Sequence, residues 1–218
     1  MSTAPINEGF RAGMAGGVID TAVGVPKSRE EMFEFYSFIR RGTLDAESKE
    51  GRGGLEFPAG YMFKEPPKWE ADDMTDPVDM LLAELDAVGI THAIINVDDD
   101  AAARAFRDHP ERFSAQINVD PNEGMDAVRR IVRFHEEFGL KAVGAFPAGL
   151  TPQVPLNDKK WYPVYAKCVE LDLAFCSTVG VPGPRIPFAC QDVALVDEVC
   201  WFFPELTFVM RHGAEPWA

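Results

Sequence analysis

Pro77-Val78-Asp79-Met80-Leu81-Leu82-Ala83-Glu84-Leu85-Asp86-Ala87-Val88-Gly89-Ile90-Thr91-His92-Ala93-Ile94-Ile95-Asn96-Val97-Asp98 reads as a helix that runs directly into a strand. Val78, Leu81, Leu82, Leu85 and Val88 recur at the spacing of one helical face. Thr75-Asp76 before Pro77 marks the start, because a short polar side chain caps free N–H groups and proline fits the first turn. Gly89 supplies a left-handed stop. The strand that follows is apolar in its middle and polar at its end, the pattern of a strand covered by helices on both faces.

The same rhythm extends in both directions. Upstream, Gly17-Val18-Ile19-Asp20-Thr21-Ala22-Val23 is a short strand. Downstream, Asp99 to Pro110 is predicted as helix and Phe113 to Asp120 as strand. Pro121-Asn122 opens a further helix with Met125, Val128, Ile131, Val132 and Phe138 on its inner face, closed by Gly139. Strands at Lys141 to Phe146, Leu173 to Val179 and Leu206 to His212 alternate with helices at Asp158 to Leu171 and Asp192 to Phe203. Six strands joined by right-handed helical crossovers imply a parallel α/β sheet. An open doubly wound sheet would carry a glycine-rich phosphate loop after its first strand, and Asp20 to Pro26 contains none. The pattern therefore favours a TIM (β/α)8 barrel. Such barrels take about 250 residues, so six strands and a long insertion in 218 residues predict a barrel whose final strands are missing from this chain.

No composition break divides residues 1–218, which read as a single incomplete barrel domain. Residues 25–74 form an insertion after the first strand. Phe33, Phe35, Tyr36 and Phe38 precede Arg40-Arg41 there, and Phe57, Tyr61, Phe63 and Trp69 follow a glycine-rich stretch. Leaving a strand's C-terminal end, this segment reads as a lid or an oligomer arm, and as a loop by its prolines.

A net charge of −14 argues against a nucleic-acid partner, which needs clustered basic residues. No apolar run is long enough to span a bilayer and the N-terminus lacks signal-peptide character, so no membrane association and a cytoplasmic location are expected. Cys168, Cys176, Cys190 and Cys200 match no zinc or redox spacing and read as reduced, mostly buried thiols.

A parallel barrel gathers its chemistry at the C-terminal ends of its strands. Those ends offer Asp20 and Thr21; Asn96 and Asp98; Asn118 and Asp120; Phe146 and Pro147; Ser177 and Thr178; Arg211 and His212. Several acids at one mouth point to a ligand, a metal or an arginine among them. Asp98 and Asp120 have a simpler reading as caps of the turns that follow. His92, at a strand start, His109, at a helix stop, and His135, in a charged helix, read as structural or solvated. Arg185, held in the proline-rich loop Val179 to Pro187, could clamp an anion or pair with a surface acid.

Ile19-Asp20-Thr21, His109-Pro110-Glu111-Arg112-Phe113, Pro155-Leu156-Asn157-Asp158 to Tyr165, and Phe208-Val209-Met210-Arg211-His212-Gly213, in that order, resemble the amidohydrolase-related family grouped with aminocarboxymuconate-semialdehyde decarboxylase. The resemblance implies a metal-dependent-hydrolase-like barrel that hydrolyses C–N, C–O or C–C bonds, or decarboxylates small aromatic and unsaturated acids. It also implies two metal-binding histidines on the first strand, which here fall on Ala22 and Gly24, and one on the fifth, which falls on Thr178, or on Ser177 if the register shifts by one. Only His212 keeps a family histidine. The divalent metal typical of the family, zinc, is therefore not expected.

Three readings follow. The first is a metal-independent hydrolase or carboxy-lyase for a small carboxylate-bearing substrate. His212 serves as acid/base, Asp20 polarises it or a water, Arg211 or Arg185 holds the carboxylate, and Thr178 and Asn118 line the site. The second rebuilds a metal site from Asp20, Asp98, Asp120 and His212. The third is a barrel without catalysis that serves as a binding or partner subunit. A small molecule and either a second copy or a related subunit are the expected partners.

Overall fold

A computed structural model describes residues 17–28, 31, 34, 76–183 and 186–214. The chain divides into two compact units, one comprising Met1–Pro26 and Thr75–Ser114, the other Lys27–Met74 and Ala115–Ala218. Most of the insertion, and Arg185 with it, lies outside the described residues. No helix among the described residues is long and apolar enough to cross a membrane.

The first unit contains β1 (Val18–Val23), α1 (Pro77–Val88), β2 (Ile90–Asn96) and α2 (Asp100–Asp108), and it ends within β3 (Phe113–Asn118). The cap expected at Asp76 is present: its carboxylate accepts from Val78 N at 2.8 Å and from Arg104 Nη2 at 2.7 Å. Gly89, at φ 76°, ends α1 in the left-handed region. Val78, Leu81 and Leu85 are buried, but Val88 is 38% exposed because the last turn has passed beyond the packed stripe. Asp99, one residue beyond the expected Asp98, caps α2 through Ala101 N and Ala102 N.

The second unit carries the rest of β3, then α3 (Met125–Phe138), β4 (Ala142–Ala145), α4 (Tyr162–Glu170), β5 (Ala174–Thr178), α5 (Ala194–Phe202) and β6 (Phe208–Arg211). The helix expected to open at Pro121 begins only at Met125. Pro121–Glu123 is a separate 3-10 turn capped by Asp120, and Gly124 at φ 57° breaks the chain before α3. That offset leaves Met125 53% exposed, while Ala127, Val128, Ile131 and Phe138 are buried.

The six strands follow one another across the sheet in chain order. Pairing is parallel for β1 with β2, and for β3 with β4, β4 with β5 and β5 with β6. Register sorts the second unit's strand residues by face, because paired residues on neighbouring parallel strands point the same way and successive residues alternate. Ile117, Val143, Phe175 and Phe208 form one level. Phe175 packs edge-on against Trp161 at 5.5 Å and Tyr165 at 4.9 Å between ring centroids, so this is the face covered by helices. Both aromatic partners are fully buried with their polar ends satisfied: the Tyr165 hydroxyl donates to Leu156 O at 2.7 Å and Trp161 Nε1 to Val154 O at 3.3 Å. The opposite, inner face then carries Gln116, Asn118, Gly144, Cys176, Thr178, Val209 and Arg211.

Candidate functional site

Within the second unit the inner face gathers the polar groups. Arg211, the last residue of β6, is level with Thr178, the last of β5. Its Nη2 donates to Oε1 of Gln116 on β3 at 2.6 Å, although the two residues are 95 apart in sequence and three strands apart in the sheet. On a flat sheet three strand spacings alone would separate them by roughly 14 Å, so the β3–β6 segment must curl inward for the side chains to meet. Gln116 is 3% exposed, and a buried amide in mid-strand is tolerated because this bond satisfies its carbonyl oxygen.

The same guanidinium lies beside the Cys176 thiol. Burial pushes that thiol above its ordinary value, and the adjacent positive charge draws it partly back. Asn118 and Gly144 lie level with Cys176. A Cβ on Gly144 would overlap the Asn118 side-chain oxygen, so glycine is what allows the Asn118 amide to lie across β4. Ser177 alternates to the helix-covered face and donates to Thr178 O at 3.1 Å, which leaves Thr178 as the β5 residue of the site. His212, exposed and at φ 62°, opens a short 3-10 turn, His212–Ala214, directly after the strand.

Other expected residues have local partners. Asp120 accepts from Asn122 N at 2.8 Å, as the capping reading required. In the first unit Asp20 accepts from Ala22 N at 2.9 Å beside an irregularity of β1, where Asp20 pairs with Ala93 and Val23 with Ile95. Three steps along one strand match two along the other, so the carboxylate braces a bulge. Asp98 is exposed at the end of β2. His92 is structural as expected: its ring nitrogens meet Glu111 O at 3.1 Å and Ser114 Oγ at 2.9 Å. Of the four thiols, Cys168, Cys176 and Cys190 are buried and Cys200 is exposed. Burial pushes Cys168 up to about 12 and Cys190 up to about 11.

Three glutamines escaped the sequence reading. Besides Gln116, the fully buried Gln191 accepts from Ala148 N at 3.0 Å and donates to Gly180 O at 2.9 Å, tying the turn after β4 to the loop after β5. Gln153 Nε2 donates to Ala148 O and to Pro187 O, both at 2.8 Å, and fastens the same two segments from outside. The available signal was an uncharged polar residue inside an apolar run, as in Ala115-Gln116-Ile117. Ser28 and Glu31 also went unread: Ser28 N donates to the Glu31 carboxylate at 2.7 Å and Glu31 N to Ser28 Oγ at 3.3 Å, a capping box at the start of the insertion.

Comparison with solved structures places this architecture. An uncharacterized Tim-barrel protein of Bordetella bronchiseptica superposes with a TM-score of 0.59 at 18% identity, covering 92% of this chain and 68% of that one. The 5-carboxyvanillate decarboxylase LigW of Sphingomonas paucimobilis gives 0.59 at 16%, over 88% and 66%. The 4-oxalomesaconate hydratase of Rhodopseudomonas palustris gives 0.54 at 17%, over 90% and 63%. At such identities the likeness is one of fold, and the chain spans 63–68% of the length of these proteins. No curated protein matches the chain. The family model described as Amidohydrolase matches residues 37–218, most of the length. With parallel strands in chain order, a TIM-barrel fold and this match, the chain belongs to the amidohydrolase family.

Proposed function

We propose that the chain forms the carboxylate-binding part of an enzyme that hydrolyses or decarboxylates a small aromatic acid, without the divalent metal usual in its family. The observation that carries this reading is Arg211. Its guanidinium stands on the inner face at the C-terminal end of β6, level with Thr178 and anchored to Gln116. A planar guanidinium with fixed orientation suits a carboxylate, to which it can present two parallel N–H groups. Thr178 and Asn118 line the same face and supply uncharged hydrogen-bonding groups. The carboxylate held by Arg211 is one that the substrate keeps, because tight pairing of a departing carboxylate would stabilise the ground state.

His212 is the acid/base. In decarboxylation the bond between ring carbon and carboxylate breaks, its electron pair stays on the carbon, and the imidazolium delivers a proton there as carbon dioxide leaves. In hydrolysis the neutral imidazole takes the proton of the attacking water.

The residues present do not fit the family's metal. Ala22 and Gly24 have no side-chain donor atoms, and Thr178 offers only a neutral hydroxyl. Zinc is bound by thiolate, imidazole and carboxylate groups, and structural or catalytic sites use at least three.

The reading is tested by turnover of a panel of aromatic carboxylic acids with the full-length protein treated with chelator. Activity should survive chelation and fall about 100-fold or more in His212→Ala. Loss on chelation with recovery on adding metal would overturn the metal-free reading. Activity indifferent to His212→Ala would overturn the acid/base role, and no turnover at all would replace catalysis with the binding-subunit reading.

A further inference from the structure

Two chain segments leave the strand ends on the β4 and β5 side of the site, and Gln191 holds both. Ala148 lies in the turn Pro147–Gly149, three residues beyond the end of β4, and Gly180 lies two residues beyond Thr178, the end of β5. The Gln191 carbonyl oxygen accepts from Ala148 N at 3.0 Å while its amide donates to Gly180 O at 2.9 Å. Gly180 N in turn donates to Gln191 O at 2.8 Å, so this glycine, at φ 88°, is held through both its polar groups. From outside, Gln153 Nε2 donates to Ala148 O and Pro187 O, both at 2.8 Å. Ala148, Ile186 and Cys190 join in a buried apolar cluster across the same two segments. Gln191 has no exposed surface, so parting the segments would break hydrogen bonds of buried groups and uncover that cluster. Segments that are costly to separate stand in place before a ligand arrives, and a ligand gives up no affinity in ordering them.

We infer that Gln191 is a positioning residue, which joins the turn after β4 and the loop after β5 into one preformed wall beside Thr178 against which a ligand at the strand ends is oriented. The inference rests on the reading of those strand ends as a site for a small aromatic acid. Gln153→Met tests whether the wall is one unit, because the bonds it removes go to Ala148 and Pro187 and not to Gly180. In native-state hydrogen exchange of the full-length protein, the Ala148 and Gly180 amides should both exchange faster than in wild type, by factors within about threefold of each other, with Phe175 of β5 unchanged. Faster exchange at Ala148 with wild-type protection at Gly180 would overturn the inference. Gln191→Glu tests the positioning. Protonated, the new carboxyl makes the same two bonds; ionised, it has no donor for Gly180 O and regains water only if the segments part. Of its neighbours in sequence, Cys190 is pushed up to about 11 and stays neutral, and the Asp192 carboxylate accepts from Ala194 N at 2.9 Å. The wild-type-to-variant ratio of salicylate affinities should be within about twofold at about pH 5 and about tenfold or more at about pH 8, with circular dichroism showing a folded chain at both. A ratio that stays the same at both pH values, while exchange at Ala148 and Gly180 rises with pH only in the variant, would leave Gln191 merely structural and overturn its positioning role. If wild type binds no salicylate, the reading of the site falls and the positioning role with it, whether or not the two amides exchange together.

Discussion

Replacing Gln191 with leucine removes one side chain and strands two backbone groups. Ala148 N–H loses its acceptor at 3.0 Å and Gly180 C=O loses its donor at 2.9 Å, both beneath a residue with no exposed surface. Leucine is close in volume to glutamine, so the cost is one of unmet hydrogen bonding and not of a cavity. Each buried unsatisfied group costs about 1–3 kcal/mol, which puts Gln191→Leu at about 2–6 kcal/mol. Urea denaturation of wild type and variant, followed by circular dichroism, reads that difference as a shift of midpoint at constant slope. In native-state hydrogen exchange the Ala148 amide should lose protection more than amides of β4. The Gly180 amide, which donates to Gln191 O at 2.8 Å through the backbone, should change less. A variant within about 0.5 kcal/mol of wild type, the range of ordinary surface substitutions, would refute the argument that Gln191 is what joins the two loops.

Gly144→Ala sets a methyl group against the Asn118 side-chain oxygen; we expect about 1–3 kcal/mol of destabilisation in the same urea assay, and an unchanged midpoint would show that Asn118 moves aside freely. At Asp76 the hydrogen bond from Arg104, followed by that from Val78 N, lowers the carboxyl pKa below its ordinary 3.8. A lowered folded-state pKa adds stability above the unfolded value that is lost as pH falls through the folded one. Asp76→Asn should therefore lower the urea midpoint at pH 7 and leave it nearly unchanged at the acid end of the native range, and a pH-independent difference would count against the ion pair.

Some parts of this protein are local enough to be read from the chain. The cap at Asp76, the stop at Gly89 and the Asp120 turn each depend on residues a few positions apart or on a periodic stripe. Phase errors arose where one residue reset the geometry: Gly124 at φ 57° separates the Pro121–Glu123 turn from α3 and turns Met125 outward. The glutamines were invisible for another reason. A glutamine's role is set entirely by what it meets, and Gln116 and Gln191 meet groups on other elements.

By itself, then, the sequence determined the alternation of helices and strands, because apolar periodicity and caps act within a turn or two of chain. It also determined which polar residues close the strands, and through Phe208 to Gly213 and the other quoted runs it pointed to the amidohydrolase family. Tertiary structure alone decided which of those polar residues share a face. Register put Thr178 inside and Ser177 outside, and the curl from β3 to β6 brought Gln116 to Arg211 across 95 residues. Strand pairing converts a one-residue difference into opposite sides of a sheet, and that choice is made by partners far away in the chain.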